Sequence, residues 1–283
     1  MKNLKHMIQK KGTVWAAGAF DALSARLIQE AGFDALLTSG YGISSSFLGE
    51  PDTELYTMTE NLAVVRNVCN AVTIPVIADI DTGHGNPISG MRTMREFENA
   101  GASAVIIEDQ VSPKRCPCSF DRPDIISLDE AVNKIRAVVS VRTNPDVVII
   151  ARTDTIDPED AVRRGKAYVA AGADVIQPIF KCFKDFAGLQ AMREGCGIPL
   201  SLQLPGWLES DLDRKQIEQV AAIATDPLVA LMTATQAMRT NLAALAASKS
   251  SKTLPQPVTP LKDFNDFIGF NRIDALQKQY MNA

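Results

Sequence analysis

The stretches IPVIADID at 74–81, SAVIIEDQ at 103–110 and DVVIIARTD at 146–154 share one plan. Each is a short run of Val, Ile and Ala that ends abruptly in charged residues. Such runs lack polar alternation, as expected of strands covered on both faces. Five more runs recur along the chain: TVWAAG at 13–18, DALLTSG at 34–40, ADVIQPI at 173–179, IPLSLQL at 198–204 and PLVALMT at 227–233. Helical signals lie between them. FDALSARLIQEAG sets Phe20, Leu23, Leu27 and Ala31 near one stripe. Thr57-x-x-Glu60 and Ser127-x-x-Glu130 read as capping boxes, and Asp157-Pro158 puts a capping side chain before a proline at the first helical position. Gly32, Gly101 and Gly172 stand where helices should end. Eight strand–helix units joined by right-handed crossovers close into an α/β fold of the (β/α)8 TIM-barrel type. A doubly wound open sheet is the competing arrangement.

The barrel is expected over residues 1–247 as the catalytic domain. SKSSKTLPQPVTP then reads as a proline-rich linker over 248–260, and a C-terminal helical tail fills 261–283. The tail carries Phe264, Phe267, Ile268, Ile273 and Leu276 at helical spacing. It exposes apolar surface unless it packs on the barrel or on a neighbouring subunit, which points to a homo-oligomer.

Formal net charge is −4, so nothing global attracts nucleic acid. No apolar run is long enough to span a membrane, and the basic N-terminus MKNLKHMIQKK lacks a secretory leader's apolar stretch; it reads as a short amphipathic helix. Five cysteines, an odd number in a chain this long, fit reduced thiols in a cytoplasmic enzyme better than a disulfide framework. Cys69, Cys182 and Cys196 read as structural residues in helical stretches or at their ends. With His6 and His84 as the two histidines, a histidine-rich zinc site is excluded.

Barrel sites form at the C-terminal strand ends. Strand two runs into Ser39-Gly40-Tyr41 and a loop containing Asp52. Strand three delivers Asp79 and Asp81, then Thr82-Gly83-His84-Gly85. Strands four to seven deliver Glu108-Asp109, Arg152, Gln177 and Gln203. Asp79 and Asp81 share a strand face if the strand continues through them, and two carboxylates in one pocket need a cation or a proton. A hard divalent ion, Mg²⁺ with Mn²⁺ as a substitute, suits such oxygen ligands. The competing readings are a surface acidic loop and a structural ion pair of Arg152 with Glu108 or Asp109. Arg152 can clamp a carboxylate bidentately. Ser39-Gly40 offers a hydroxyl and backbone N–H groups to an anion, while His84 either reaches substrate or faces solvent. In the loop Ser112-Pro113-Lys114-Arg115-Cys116-Pro117-Cys118, two cations beside Cys116 should lower its pKa. Pro117 should hold Cys118 away from the direction of Cys116. The bland reading of Lys114-Arg115 is a solvated basic turn.

At these residues the chain resembles the isocitrate lyase and phosphoenolpyruvate mutase family over most of 10–245, closest to its methylisocitrate lyase-like branch. The resemblance is carried by Asp79-Ile-Asp81-Thr-Gly-His-Gly, Glu108-Asp-Gln-Val-Ser-Pro-Lys114-Arg115-Cys116 and Ala151-Arg152-Thr-Asp154. It implies Mg²⁺ near Asp79, with Asp52, Asp81 and Glu108 assisting through water. It further implies substrate binding by Ser39, Gly40, Tyr41 and Arg152, and a tetramer that exchanges C-terminal helices; Asp79, His84 and Gln203, at the other strand ends, complete the expected set that binds a small-molecule carboxylate substrate. Catalytic roles fall on Cys116, Lys114, Arg152, Glu108 and Tyr41. The implied reaction breaks the C2–C3 bond of a 2-hydroxy di- or tricarboxylate of the methylisocitrate or alkylmalate kind; Cys116 protonates the departing carbon, and Tyr41 is one candidate base. The lyases' Gly-His after the cysteine is Pro117-Cys118 here. Their strand-six Phe-Pro-Glu or Phe-Leu-Glu is Gln177-Pro178-Ile179, and their Leu-Ala-Asn is Ser201-Leu202-Gln203. Oxaloacetate decarboxylation or hydrolysis is the alternative chemistry. Phosphonate chemistry of the phosphoenolpyruvate mutase or phosphonopyruvate hydrolase type is another, and a non-enzymatic binding barrel is the alternative of a different class.

Overall fold

The computed structural model describes residues 3–121 and 123–281; the first two residues of the N-terminal stretch, Arg122, and the last two residues of the tail lie outside the described residues. Eight parallel strands close into a barrel in sequence order: β1 (Val14–Ala19), β2 (Ala35–Thr38), β3 (Val76–Asp79), β4 (Ala104–Glu108), β5 (Val148–Thr153), β6 (Val175–Pro178), β7 (Leu200–Gln203) and β8 (Ala221–Asp226). Helices alternate with them, and the expected barrel is the one found. Thr57 and Glu60 form the full capping box; Ser127 accepts from the Glu130 N–H; Asp157 caps the helix that Pro158 opens. Gly32, Gly101 and Gly172 take the positive φ that ends each helix.

Two expectations need correction. The eighth strand is Ala221–Asp226, one element earlier than PLVALMT, whose Val229 opens the helix Val229–Ser248. Asp226 Oδ1 accepts from the N–H groups of Leu228 and Val229, so Asp226-Pro227 is a helix-start signal of the same kind as Asp157-Pro158. The second helix, Ala22–Glu30, buries Ser24, Ala25 and Ile28, while Leu23 and Leu27 face outward. The stripe of Leu23 and Leu27 is therefore not the one turned to the sheet. Cys182, expected in a helix, sits in the turn after β6, although it is buried.

Strand parity positions the site. Val14, Ala16, Ala35, Leu37, Ile77, Ala104, Ile106, Val148, Ile150, Val175 and Ile223 pack on one another in the barrel interior, plugged by Leu4 of the helix Leu4–Lys11. The alternate residues, such as Ala78, Val105, Ile149 and Ile176, pack outward with the helices. Since side chains alternate with period two, the interior row continues upward to Ser39, Asp79, Glu108, Arg152, Gln177 and Gln203. Glu108 pairs with Arg152 in register, and Arg152 with Gln177. At the top of β1, a Cβ on Gly18 would stand 1.9 Å from the Pro227 carbonyl oxygen, so only glycine permits that approach.

The chain divides into two compact units, Met1–Leu231 and Met232–Ala283. The second holds most of the helix Val229–Ser248, then Leu261–Ile268 and Phe270–Tyr280. Asn241 ties it internally, donating to the Gln256 carbonyl at 3.1 Å and accepting from the Gln256 N–H at 2.9 Å. None of its three helices has a fully buried residue among those described, although Phe264, Phe270, Ile273 and Leu276 are large and apolar.

Candidate active site

The strand ends gather four carboxylates around one ammonium group. Asp79 closes β3; its Oδ2 accepts from the Gly40 N–H at 3.3 Å and its Oδ1 from the Asp81 N–H at 3.1 Å. The strand stops there, because Asp81 takes a left-handed φ of +51°. Aspartate tolerates that region better than most residues. The two carboxylates are brought together by this turn rather than by a continued strand, and of the two Asp79 alone lines the cavity described below. Lys114 Nζ, 3 % exposed, lies 2.5 Å from Asp81 Oδ1 and 2.9 Å from Asp52 Oδ1. The reading of Lys114 as part of a solvated turn is thereby excluded. Burial pulls its pKa down, but Asp52, Asp81, Glu108 and Asp79 outweigh that and hold it well above the ordinary lysine value. Tyr56 donates to Asp81 Oδ2 at 2.6 Å. Burial, and then the charge of Asp81, push the Asp79 carboxyl upward.

Arg152 Nη1 lies 3.1 Å from Glu108 Oε2, while its Nε and Nη2 donate to Asp154 Oδ1 at 3.0 and 2.9 Å. Asp109 has the outward parity and takes no part: it accepts from Thr153, Tyr168 and Arg164 behind the strands. Glu108 Oε1 is buried and accepts no hydrogen bond, and burial drives the Glu108 pKa well above the ordinary value despite Arg152. Asp52, Asp79, Asp81 and Glu108 thus face two cations, Lys114 and Arg152, with Arg152 also shared with Asp154. This donor set and its charge imbalance suit a hard divalent cation. Among the described residues, no group of three or more His, Cys, Asp or Glu is arranged so that it could hold a metal ion.

Ser39, Tyr41, Asp52, Asp79, Cys116, Arg152 and Gln203 line one small cavity of about 40 Å³, with Pro117, Cys118, Ile179, Phe180, Pro205, Pro227 and Leu228 completing its wall. A larger, mostly apolar cleft of about 1240 Å³ lies outside, between the helices Pro158–Ala170 and Phe186–Cys196; it holds none of the interior strand-end residues. Chemistry, not size, makes the small cavity the candidate site.

Some sequence-predicted residues lie off it. Gly40 presents no free N–H, since Asp79 uses it; a Cβ there would meet Tyr56 Oη at 2.8 Å. His84 stands beside Asp81, Nε2 3.8 Å from Oδ2, and is absent from the cavity wall. The thiols of the loop after β4, which lids the cavity with Cys116, Pro117 and Cys118, reverse the expectation. Lys114 is engaged by the carboxylates, and Arg115 points away to Asp124 and over Phe120. Cys116 is buried; its hydrogen bond to Cys118, then burial, push its thiol far up, whereas the same bond lowers Cys118 to about 7. Both thiols face the cavity, so Pro117 does not hold Cys118 away. Sequence reasoning missed Tyr56 and Glu54. Both lie on the loop carrying Asp52, and the Asp-Thr-Glu run at 52–54 was the one available signal.

The model of the phosphoenolpyruvate phosphomutase family matches residues 4–247. The chain belongs to the phosphoenolpyruvate mutase/isocitrate lyase superfamily. It is 36 % identical over 282 residues to 2,3-dimethylmalate lyase of Eubacterium barkeri, covering 98 % of this chain and 96 % of that one. It is 35 % identical over 234 residues to oxaloacetate decarboxylase of Rhodopseudomonas palustris strain BisB18, covering 82 % and 80 %. Among solved structures it superimposes on phosphoenolpyruvate phosphomutase from Streptomyces platensis subsp. rosaceus with a TM-score of 0.91 at 30 % identity, covering 99 % of each chain. Superfamily relatives thus carry lyase, decarboxylase and mutase activities on small carboxylates. No described helix is long and apolar enough to cross a membrane.

Proposed function

We propose that this superfamily member is a Mg²⁺-dependent carbon–carbon lyase, nearest the methylisocitrate lyase-like branch. It splits a 2-hydroxy di- or tricarboxylate of the methylisocitrate or alkylmalate kind into a 2-oxo acid and a second carboxylate. One observation carries this reading: the Cys116 thiol, which its surroundings keep protonated, shares a cavity with Asp79 and Arg152. Cleavage of a C2–C3 bond needs a sink for oxygen charge, a grip on the carboxylate and an acid for the departing carbon. Mg²⁺, when bound, supplies stabilisation of oxygen charge. Asp79 would hold it, with Asp52, Asp81 and Glu108 acting through water, and Mn²⁺ would substitute. Magnesium sites commonly use one or two protein carboxylates and retained waters.

The remaining steps belong to side chains of the chain. Arg152, held by Glu108 and Asp154, grips a substrate carboxylate; Ser39, Tyr41 and Gln203 orient it. Burial raises the pKa of the Tyr41 phenol; it lines the cavity as a hydrogen-bond donor and as one candidate base. Asp52, the cavity-wall carboxylate that would not hold the metal directly, is the other candidate to receive the hydroxyl proton. As the C2–C3 bond breaks, its electron pair becomes the enolate of the second product, and Cys116 Sγ–H gives its proton to that carbon. Lys114 pins the lid through Asp52 and Asp81. The apolar wall of Ile179, Phe180, Pro205, Pro227 and Leu228 favours an alkyl branch on C3 over a third carboxylate. The enzyme is proposed to be cytoplasmic, and to assemble as a homo-oligomer, a tetramer or dimer of dimers, through the apolar residues of its tail.

Oxaloacetate decarboxylation or hydrolysis is the second reading, favoured by Ile179 and Gln203 where the resembling lyases carry Glu and Asn. Phosphonate chemistry is disfavoured by the Lys114-Arg115-Cys116 lid. The test is incubation with Mg²⁺ and a panel of 2-hydroxy di- and tricarboxylates, oxaloacetate and phosphonopyruvate, followed by product masses. The expected result is a 2-oxo acid plus a second carboxylate, abolished by EDTA and restored by Mg²⁺ or Mn²⁺. Turnover in metal-free protein, or turnover of oxaloacetate or phosphonopyruvate alone, sinks the reading.

A further inference from the structure

Three loops meet at one carboxylate outside the cavity. Glu54, half-buried on the loop after β2, accepts through Oε1 from the Thr82 hydroxyl at 2.5 Å and the Thr82 N–H at 3.3 Å, on the loop after β3. Its Oε2 accepts from the Ser112 hydroxyl at 2.7 Å, at the root of the lid after β4. The residue itself sits at φ +60°, a left-handed conformation that a glutamate keeps only when its surroundings fix it. Thr82 is gripped from its other side too: buried Lys134 donates to the Thr82 carbonyl at 2.8 Å. Thr82 therefore has little freedom, and what is tied to it through Glu54 inherits that position.

The lid's own tethers explain why this matters. Its base is closed by Gln110 and Ile125 in an antiparallel bridge, with Val111 N–H donating to Asp124 O at 2.8 Å. Its tip is held by Lys114 on Asp52 and Asp81, the same carboxylates that must serve the reaction. That tether weakens whenever those charges are claimed by an ion or a substrate. The Glu54–Ser112 bond does not, because Glu54 is not on the cavity wall.

We propose that Glu54 is the latch of the lid, a positioning residue that joins Ser112 to Thr82 so that Lys114 and Cys116 close in register with Asp81. The proposal rests on the reading of the acidic strand ends as the reaction site. Both Glu54 carboxylate oxygens accept, so the bonds from Thr82 and Ser112 are charge-assisted.

Native-state trypsin nicking tests the latch without any substrate. Cleavage after Lys114 or Arg115 requires the lid to open, since Lys114 and Cys116 are buried. Cleavage after Lys134 or Arg164, buried in barrel helices, reports wider unfolding. When opening is fast relative to cleavage, the nicking rate follows the open population. Ser112→Ala is expected to raise nicking after Lys114 and Arg115 roughly tenfold, the scale of one charge-assisted hydrogen bond, with no change after Lys134 or Arg164. Ser112→Thr, which keeps the hydroxyl, should restore the slow rate, and Glu54→Gln should nick faster than the parent. Unchanged nicking at the lid in both Ser112→Ala and Glu54→Gln, or a rise matched after Lys134 and Arg164, overturns the proposal. A lid effect in a protein that turns over nothing in the substrate panel would leave the latch standing and remove the lyase reading instead.

Discussion

Replacing Arg152 by methionine keeps most of the side-chain volume and removes the charge. Arg152 is 6 % exposed, Glu108 2 % and Asp154 0 %. Three short contacts vanish: Nη1 to Glu108 at 3.1 Å, and Nε and Nη2 to Asp154 at 3.0 and 2.9 Å. Asp154 keeps one donor, Gln110 Nε2 at 3.0 Å, but Glu108 loses its nearest cation. Removing one partner of a buried ion pair costs about 3–5 kcal/mol, because the remaining charge is stranded. At about 2–4 °C per kcal/mol for a domain of this size, the melting temperature should fall by about 6–20 °C. Thermal unfolding read by circular dichroism, with Mg²⁺ present, measures it. Adding Asp154→Asn to Arg152→Met removes one stranded charge and should recover part of the loss. A melting temperature within 2 °C of the parent would refute the reasoning, as would a double variant no more stable than the single one.

Two further outcomes follow from the lid and the tail. Iodoacetamide should alkylate Cys118 with a half-rise near its lowered pKa of about 7 rather than the ordinary 9.0; Cys116→Ala removes the hydrogen bond and should move the half-rise upward, whereas a profile that stays put contradicts the thiol pair. For Cys118 the folded pKa is depressed, so its own contribution to stability is fully present above the unfolded value and is lost as pH falls through about 7; Cys116, raised by the same bond, contributes with the opposite sign. Deleting residues 255–283 should lower the native mass or leave the protein insoluble, as measured by light scattering; an unchanged oligomer of unchanged stability would make the tail a local cap.

Seven of the eight strands were legible because short apolar runs without polar alternation mark strands covered on both faces. The eighth was displaced because Ala221–Asp226 follows the helix Arg214–Val220 with no turn residue between them, while PLVALMT offers the longer apolar run. The strand-end residues followed from parity, which one-dimensional reading captures. Asp109 shows its limit: it is adjacent to Glu108, but one residue reverses the face. What the sequence hid lies in loops that reach across strands. Tyr56 donates to a carboxylate 25 positions away, and Glu54 bridges to Ser112 over 58 positions. Neither has a periodic signal. The thiol order was misread for a related reason: Lys114 is next but one to Cys116 in sequence, yet its charge is spent on Asp52 and Asp81.

The turnover number of Cys116→Ser tests the lyase account most directly. Serine keeps the size but is a far weaker proton donor, and Arg152 with the metal supplies most of the grip on substrate. On the hydroxy acid identified in the panel, kcat should fall by roughly 10²-fold or more, the usual scale of a positioned acid, with KM changed little. A kcat close to that of the parent would contradict the lyase mechanism and favour decarboxylation or hydrolysis.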